Sequence, residues 1–233
     1  MQNVLKNPKF LESYNLYFQY TITGYNSKME PNVPTYQESL KILENLLNKY
    51  NPKQFNIRFD PIILTLNGET NLINNDPKLS RLKAFETLCK DLKILGMDDC
   101  RLTTSYISFY GDTEIKLKNA GIDYIKSTKT EQLNFFKEMS IIASKYNRDI
   151  YTCANDKFLE LGIENIKKGH CIDGDLLNDL FEKCTKAKDQ GQRLECGCVK
   201  SKDIGLYTQK CAHKCAYCYS SVSWWFSKPK KGH

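Results

Sequence analysis

What constrains this chain most is a change of hydrophobic period that repeats along it. "YNLYFQYTIT", residues 14–23, is rich in aromatic and β-branched residues and stops at Gly24, as a strand does. After the loop "NSKMEPNVPT", the stretch "TYQESLKILENLLNKY" repeats apolar residues at helical spacing, with Thr35 placed as a cap and Glu38 three residues on. "FNIRFDPIILT" resumes strand character from Phe55, and Pro61 should end its regular pairing. The cycle continues with a helix over 79–94, a strand "RLTTSYISFY" from Arg101, a helix over 130–146 and a short strand "DIYTC" ending at Cys153. Small helices are expected over 155–161 and 173–183. Four strands alternating with helices predict an α/β fold with a parallel sheet, either open or curved into part of a barrel.

Apolar periodicity is lost near Lys186, in "KAKDQGQRLECGCVKSKDIG". Residues 1–185 are therefore expected to form a partial β/α barrel, and 186–233 a cysteine-rich, cluster-binding segment packed on the same domain. With 233 residues the chain can bury a core without staples. Its 34 basic against 27 acidic side chains are spread widely, apart from Lys228, Lys230 and Lys231. That tail reads as a solvated basic end, so nucleic acid is not the expected partner. No apolar run approaches the roughly 18 residues that a bilayer span needs, and "MQNVLKNPKF" lacks the apolar region of a signal peptide. A cytoplasmic protein without membrane partners, its ten cysteines kept reduced, is the expectation. No G-x-G-x-x-G, P-loop or Ser-His-Asp pattern is present, so phosphate binding and acyl transfer have no positive support.

Cys89, Cys100, Cys153, Cys171 and Cys184 are scattered singly, whereas Cys196, Cys198, Cys211, Cys215 and Cys218 fall within 23 residues. In "CAHKCAYCY" the last three have the spacing CxxxCxxC. Sulfurs that close cannot all be buried on one regular face, but a loop can converge them on a single inorganic centre, and thiolates favour zinc and iron–sulfur clusters. A four-iron cluster with three protein ligands leaves one iron open to water, substrate or S-adenosylmethionine. CxxxCxxC with an aromatic before its last cysteine, here Tyr217, is the pattern of radical S-adenosylmethionine enzymes.

Zinc and uncoordinated thiols are the competing readings. The CGC pair, the C-terminal three and His213 offer more than the four ligands of a structural zinc site, although only Cys215 and Cys218 have CxxC spacing. His213 itself reads as a neighbour of the site or a surface group. If Cys196 or Cys198 supplies a fourth ligand, the cluster is closed and suits electron transfer or structural support. If neither does, the open iron can bind and cleave a cofactor.

Functional residues of β/α barrels gather at the C-terminal ends of strands. Arg58 and Asp60 alternate with Ile57 and Phe59, so both should face the interior, as an internal ion pair or as a cofactor or substrate contact. Asp112, Asn155 and Asp156 occupy similar strand-end positions and read as helix caps. Glu30 could reach the same mouth, though a loop carboxylate is usually solvated. Arg193, after Gln192, could offset the charge of a thiolate cluster or hold a carboxylate.

At these residues a resemblance emerges. "QRLECGCVKSKDIGLY" followed by "CAHKCAYCY", together with "YFQYTITGYNSKMEPNVP", "IRFDPIIL", "YISFYGD" and "YTCAND", resembles a bacterial and phage family, the DUF1848 domains of unknown function. It spans about 14–219. The resemblance implies a barrel of β/α units related to that of radical S-adenosylmethionine proteins, with the cysteine cluster at the C-terminal end instead of the N-terminal one. Family members carry a further N-terminal section, and this chain starts near its end, at "KNPKF". The resemblance thus implies that one or more barrel strands are missing or supplied by a separate chain. The expected cofactors are a 4Fe-4S cluster and S-adenosylmethionine, or zinc in the alternative, with an unidentified substrate and an electron donor as partners.

Overall fold

The computed structural model describes residues 11–109, 111–182, 184–191, 195–202 and 211–219. In chain order the elements are β1 (Phe18–Thr21), α1 (Tyr36–Leu47), β2 (Phe55–Arg58), β3 (Leu64–Thr65), α2 (Pro77–Ile94) and β4 (Arg101–Thr104). There follow α3 (Thr113–Asn119), β5 (Tyr124–Ile125), α4 (Lys129–Lys145), β6 (Ile150–Cys153), β7 (Ile166–Gly169) and α5 (Gly174–Phe181). β1, β2, β4, β6 and β7 pair in that order, all parallel, and β3 and β5 make a small antiparallel ribbon. The architecture is a mixed α/β fold built on a five-stranded parallel sheet.

Strands added in chain order by right-handed crossovers place their helices on one face. Alternation along the strands agrees: Phe55, Ile57, Leu102 and Ile150 join one apolar core with Leu43 and Leu46 of α1, Phe85 and Leu88 of α2, and Phe136 and Met139 of α4. The opposite face is polar. Asn56 Nδ2 donates to Gln19 Oε1 at 2.9 Å, and Thr103 Oγ1 donates to Asn56 Oδ1 at 2.7 Å. Gln19 Nε2, on one edge strand, donates at 2.6 Å to Cys171 O just beyond the other edge. The sheet therefore curls, bringing its two edges together across a concave polar face.

Local chemistry accounts for the element ends. Thr35 and Glu38 form the expected capping box of α1, and Thr128 with Glu131 forms another at α4. Regular pairing of β2 stops at Arg58, before Pro61, leaving only a bridge from Ile62 to Tyr106. Three features departed from the sequence expectation: β7, the seven-residue α3 and the β3–β5 ribbon. In β7, "IKKG", the two central lysines are exposed and ion-paired to Asp149 and Asp156, so the strand has no legible alternation. Among the described residues, no helix is long and apolar enough to cross a membrane.

Candidate functional site

A cavity of about 1460 Å³ opens on the concave side, at the C-terminal ends of the strands. Arg58 lines it at the end of β2 and Asp60 just past it, Ser105 past β4, and Cys153 and Asn155 at the end of β6. The ion pair of Arg58 with Asp60 forms as the alternation of β2 required, and Ser105 Oγ donates to the other carboxylate oxygen of Asp60. Arg58 Nε is buried without a hydrogen-bond partner among the described residues.

One wall is the loop 211–219. Lys214 adopts the left-handed region at φ 56, which turns the chain between Cys211 and Cys215, and Cys218 N donates to Cys215 O at 3.1 Å. The loop is pegged to the strand ends by several contacts. Ala216 N donates to Met29 O at 2.8 Å, Asn32 Nδ2 to Ala212 O at 2.6 Å and Lys116 Nζ to Cys218 O at 2.7 Å. Tyr217, the aromatic of the cysteine pattern, donates its hydroxyl to Glu30, which also accepts from Thr23 Oγ1 at 2.7 Å.

Glu30 is buried, contrary to the expectation of a solvated carboxylate, and burial raises its pKa. Beneath it Arg81, fully buried, donates to Thr23 O at 2.5 Å and pairs with Glu69 at 3.7 Å. His213 is exposed, and its ring donates from Nδ1 to Asn32 O at 3.1 Å, as the surface reading required.

The three sulfurs of this loop fit a thiophilic centre in donor type. Cys211 and Cys218 lie close enough to help burial push the Cys215 thiol up to about 12. A metal there would displace the proton of the Cys215 thiol, which burial keeps protonated at neutral pH.

The other wall holds four thiols. Cys153 is the last residue of β6, in register with Gly169 of β7, and its Sγ lies 3.3 Å from that of Cys171. Cys196 and Cys198 line the same wall, and Cys198 Sγ accepts from the amide of Ile172, next to Cys171, at 3.4 Å. Cys171 is the member driven toward the thiolate, because it accepts from Cys153 and sits near the Arg58 guanidinium. Cys153 and Cys171, which the sequence left as single scattered residues, are thus gathered with the CGC pair. The signal available was the placement of Cys153 at a strand end.

Cys196 and Cys198, candidate ligands beside the C-terminal three, line the same cavity as Cys215 and Cys218, on the wall that carries Cys171. Arg193 and Gln192 lie outside the described residues, as do Lys228, Lys230 and Lys231. Asp112 and Asn155 stand at N-cap positions, but neither side chain caps: Asn155 Nδ2 turns back to Cys153 O at 3.1 Å. Asp156 pairs with Lys168 at 2.7 Å. Among the described residues, no group of three or more His, Cys, Asp or Glu side chains is assembled as a formed metal site.

Fold and cavity together define an α/β protein whose parallel strands end in a thiol-rich pocket. Over residues 1–220 the chain matches the family described as Domain of unknown function (DUF1848), and it belongs to that family. No curated protein and no solved structure matches it.

Proposed function

We propose that the protein is a radical S-adenosylmethionine-like iron–sulfur enzyme, with Cys211, Cys215 and Cys218 as the three ligands of a four-iron cluster at the mouth of an incomplete β/α barrel. The observation that carries this reading is the docking of the CxxxCxxC loop on the strand ends, where it faces the cavity lined by Arg58 and Asp60. When bound, such a cluster supplies one electron for reductive cleavage of S-adenosylmethionine, starting radical chemistry on a substrate.

The chain's own residues would do the rest. Cys211, Cys215 and Cys218 hold the centre, and Lys116, Asn32 and the Tyr217–Glu30 contact fix the loop that carries them. Arg58 and Asp60 present both signs of charge to the cavity, a match for the amino and carboxylate ends of an amino-acid-like cofactor or substrate. At about 1460 Å³ the cavity exceeds the roughly 300–1,000 Å³ of a single small-molecule pocket, which leaves room for cofactor and substrate together. Cys198 Sγ is held by the amide of Ile172 on the wall that carries Cys171, which favours three ligands over a closed four-ligand cluster.

Anaerobic reconstitution followed by iron, sulfide and zinc analysis and a cofactor-cleavage assay tests this. Cys215→Ala should lose the iron and sulfide of one four-iron cluster; content equal to that of the unsubstituted chain would sink the ligand assignment. Iron without cleavage of S-adenosylmethionine would point to an electron-transfer or structural role, and colourless protein with zinc and no iron to a zinc-bound module.

A further inference from the structure

The four thiols on the opposite wall call for an account of their own. Cysteines 153, 171, 196 and 198 come from three separate stretches of chain, and the fold brings all four to one wall of the cavity, with the sulfurs of Cys153 and Cys171 3.3 Å apart and Cys198 Sγ accepting from the amide of Ile172, next to Cys171. Cys196 and Cys198 are buried, and Cys153 and Cys171 are half-buried.

The segment that carries the CGC pair is stitched to the end of β7 by its backbone. Val199 N donates to Ile172 O at 3.1 Å, and Lys188 bridges Val199. Ile172 N donates to Cys198 Sγ at 3.4 Å, the kind of backbone contact that favours a sulfur in its charged form. Gly197 is required by close approach: a Cβ there would stand 1.9 Å from His170 Cε1. The imidazole covering the pair has a buried Nδ1 without a hydrogen-bond partner among the described residues.

We propose that Cys153, Cys171, Cys196 and Cys198 are the ligands of a second metal centre, a four-thiolate site for a thiophilic metal, distinct from the C-terminal triad. Four cysteines with no water-bearing position are the donor set of a closed centre, either zinc or a fully ligated iron–sulfur cluster. The four become a tetrahedral set when their sulfurs turn from this shared wall onto a common ion and the thiol protons leave. Arg58, close to Cys153 and Cys171, offsets part of the resulting negative charge. A cross-link between Cys153 and Cys171 alone would require their sulfurs to close from 3.3 Å to about 2.05 Å, and it would give Cys196 and Cys198 no role.

The test uses the full chain with Cys211→Ser, Cys215→Ser and Cys218→Ser combined, purified anaerobically and analysed for zinc, iron and sulfide and by native mass spectrometry. The expected result is one retained centre per chain, with the zinc and iron–sulfide contents saying which kind it is. Adding Cys171→Ser should cut that content by roughly tenfold or more, since loss of even an outer partner of a metal ligand costs about 10–100-fold in affinity. Thiol mapping on the triple variant itself keeps the test independent of how the fourth substitution folds. Cys153, Cys171, Cys196 and Cys198 should become open to alkylation only after a chelator has removed the metal. A metal-free triple variant, or one carrying a Cys153–Cys171 disulfide, overturns the proposal. Because the triad is absent from this protein, the result is independent of the reading of the C-terminal loop.

Discussion

The four inner cysteines and the three of the C-terminal loop reach one cavity by different means. Cys153 ends β6 and Cys171 lies two residues past its parallel neighbour β7, and Cys198 is fixed by backbone hydrogen bonds to the segment that follows β7. The outer loop depends mainly on side chains far away in sequence, with Glu30 reaching Tyr217 across 187 positions and Lys116 reaching Cys218 across 102. Sheet register is a property of backbone, so single substitutions should disturb the inner group little. A polar side-chain network has no such redundancy, and the outer loop should answer to each member in turn.

The largest effect is expected at Arg81, on which that network rests. It is fully buried, pairs with Glu69, donates to Thr23 O and lies over the rings of Tyr25 and Phe59 at 4.1 and 4.5 Å. Arg81→Met strands a buried carboxylate, and removing one partner of such a pair costs about 3–5 kcal/mol. Chemical denaturation measures it. A loss below about 1 kcal/mol would mean that the outer loop does not rest on this cation, and the contrast between the two walls would fail.

Next comes the pH response of Glu69, whose carboxyl burial pushes up to about 7 against the lowering effect of Arg81. The folded protein then keeps a proton that the unfolded chain releases near 4.5. The contribution of Glu69 to stability is fully present below that lower value and is lost as pH rises through the window to about 7, by at most about 1.4 kcal/mol per pH unit. Glu69→Gln should flatten the slope between pH 4.5 and 7. Equal slopes for both proteins would show that Glu69 does not titrate there.

These groups also show what a sequence can and cannot display. The alternation of Asn56, Arg58 and Asp60 with Phe55, Ile57 and Phe59 is written in consecutive letters, so the two faces of the sheet and the Arg58–Asp60 pair were legible. The cap of α1 was legible for the same reason, since Thr35 and Glu38 lie three residues apart. β7 was not, because an edge strand of four residues with exposed Lys167 and Lys168 carries no period. Cys171 looked isolated because its neighbours come from the β6–β7 register and from a segment about 25 residues on, neither of which leaves a local pattern. Glu30 was taken as a solvated loop residue because its partners, Thr23 and Tyr217, lie on two other segments.

A smaller effect is expected from Tyr217→Phe, which removes one donor to buried Glu30 and leaves Thr23 as the other. Leaving a buried acceptor short of a partner costs about 1–3 kcal/mol. It should appear as faster hydrogen exchange at the amide of Ala216, which is bonded to Met29 O. Alkylation of Cys153 and Cys171 should be unchanged. Equal loosening of both walls would show that they are coupled through the cavity instead of built separately.

The smallest effect is expected from His213→Ala, and it separates a peg from a ligand. The ring is exposed and, among the described residues, makes one hydrogen bond, to Asn32 O, for which about 0.5–1.5 kcal/mol is the usual net value and the lower end applies in contact with water. The bonds from Asn32 N to His213 O at 3.3 Å and from Asn32 Nδ2 to Ala212 O survive the substitution, because both acceptors are backbone. Iron and sulfide content after anaerobic reconstitution should therefore match that of the unsubstituted protein. A fall comparable to that of Cys215→Ala would make the imidazole a ligand, and the outer wall would then hold its centre through four groups, as the inner wall is proposed to do.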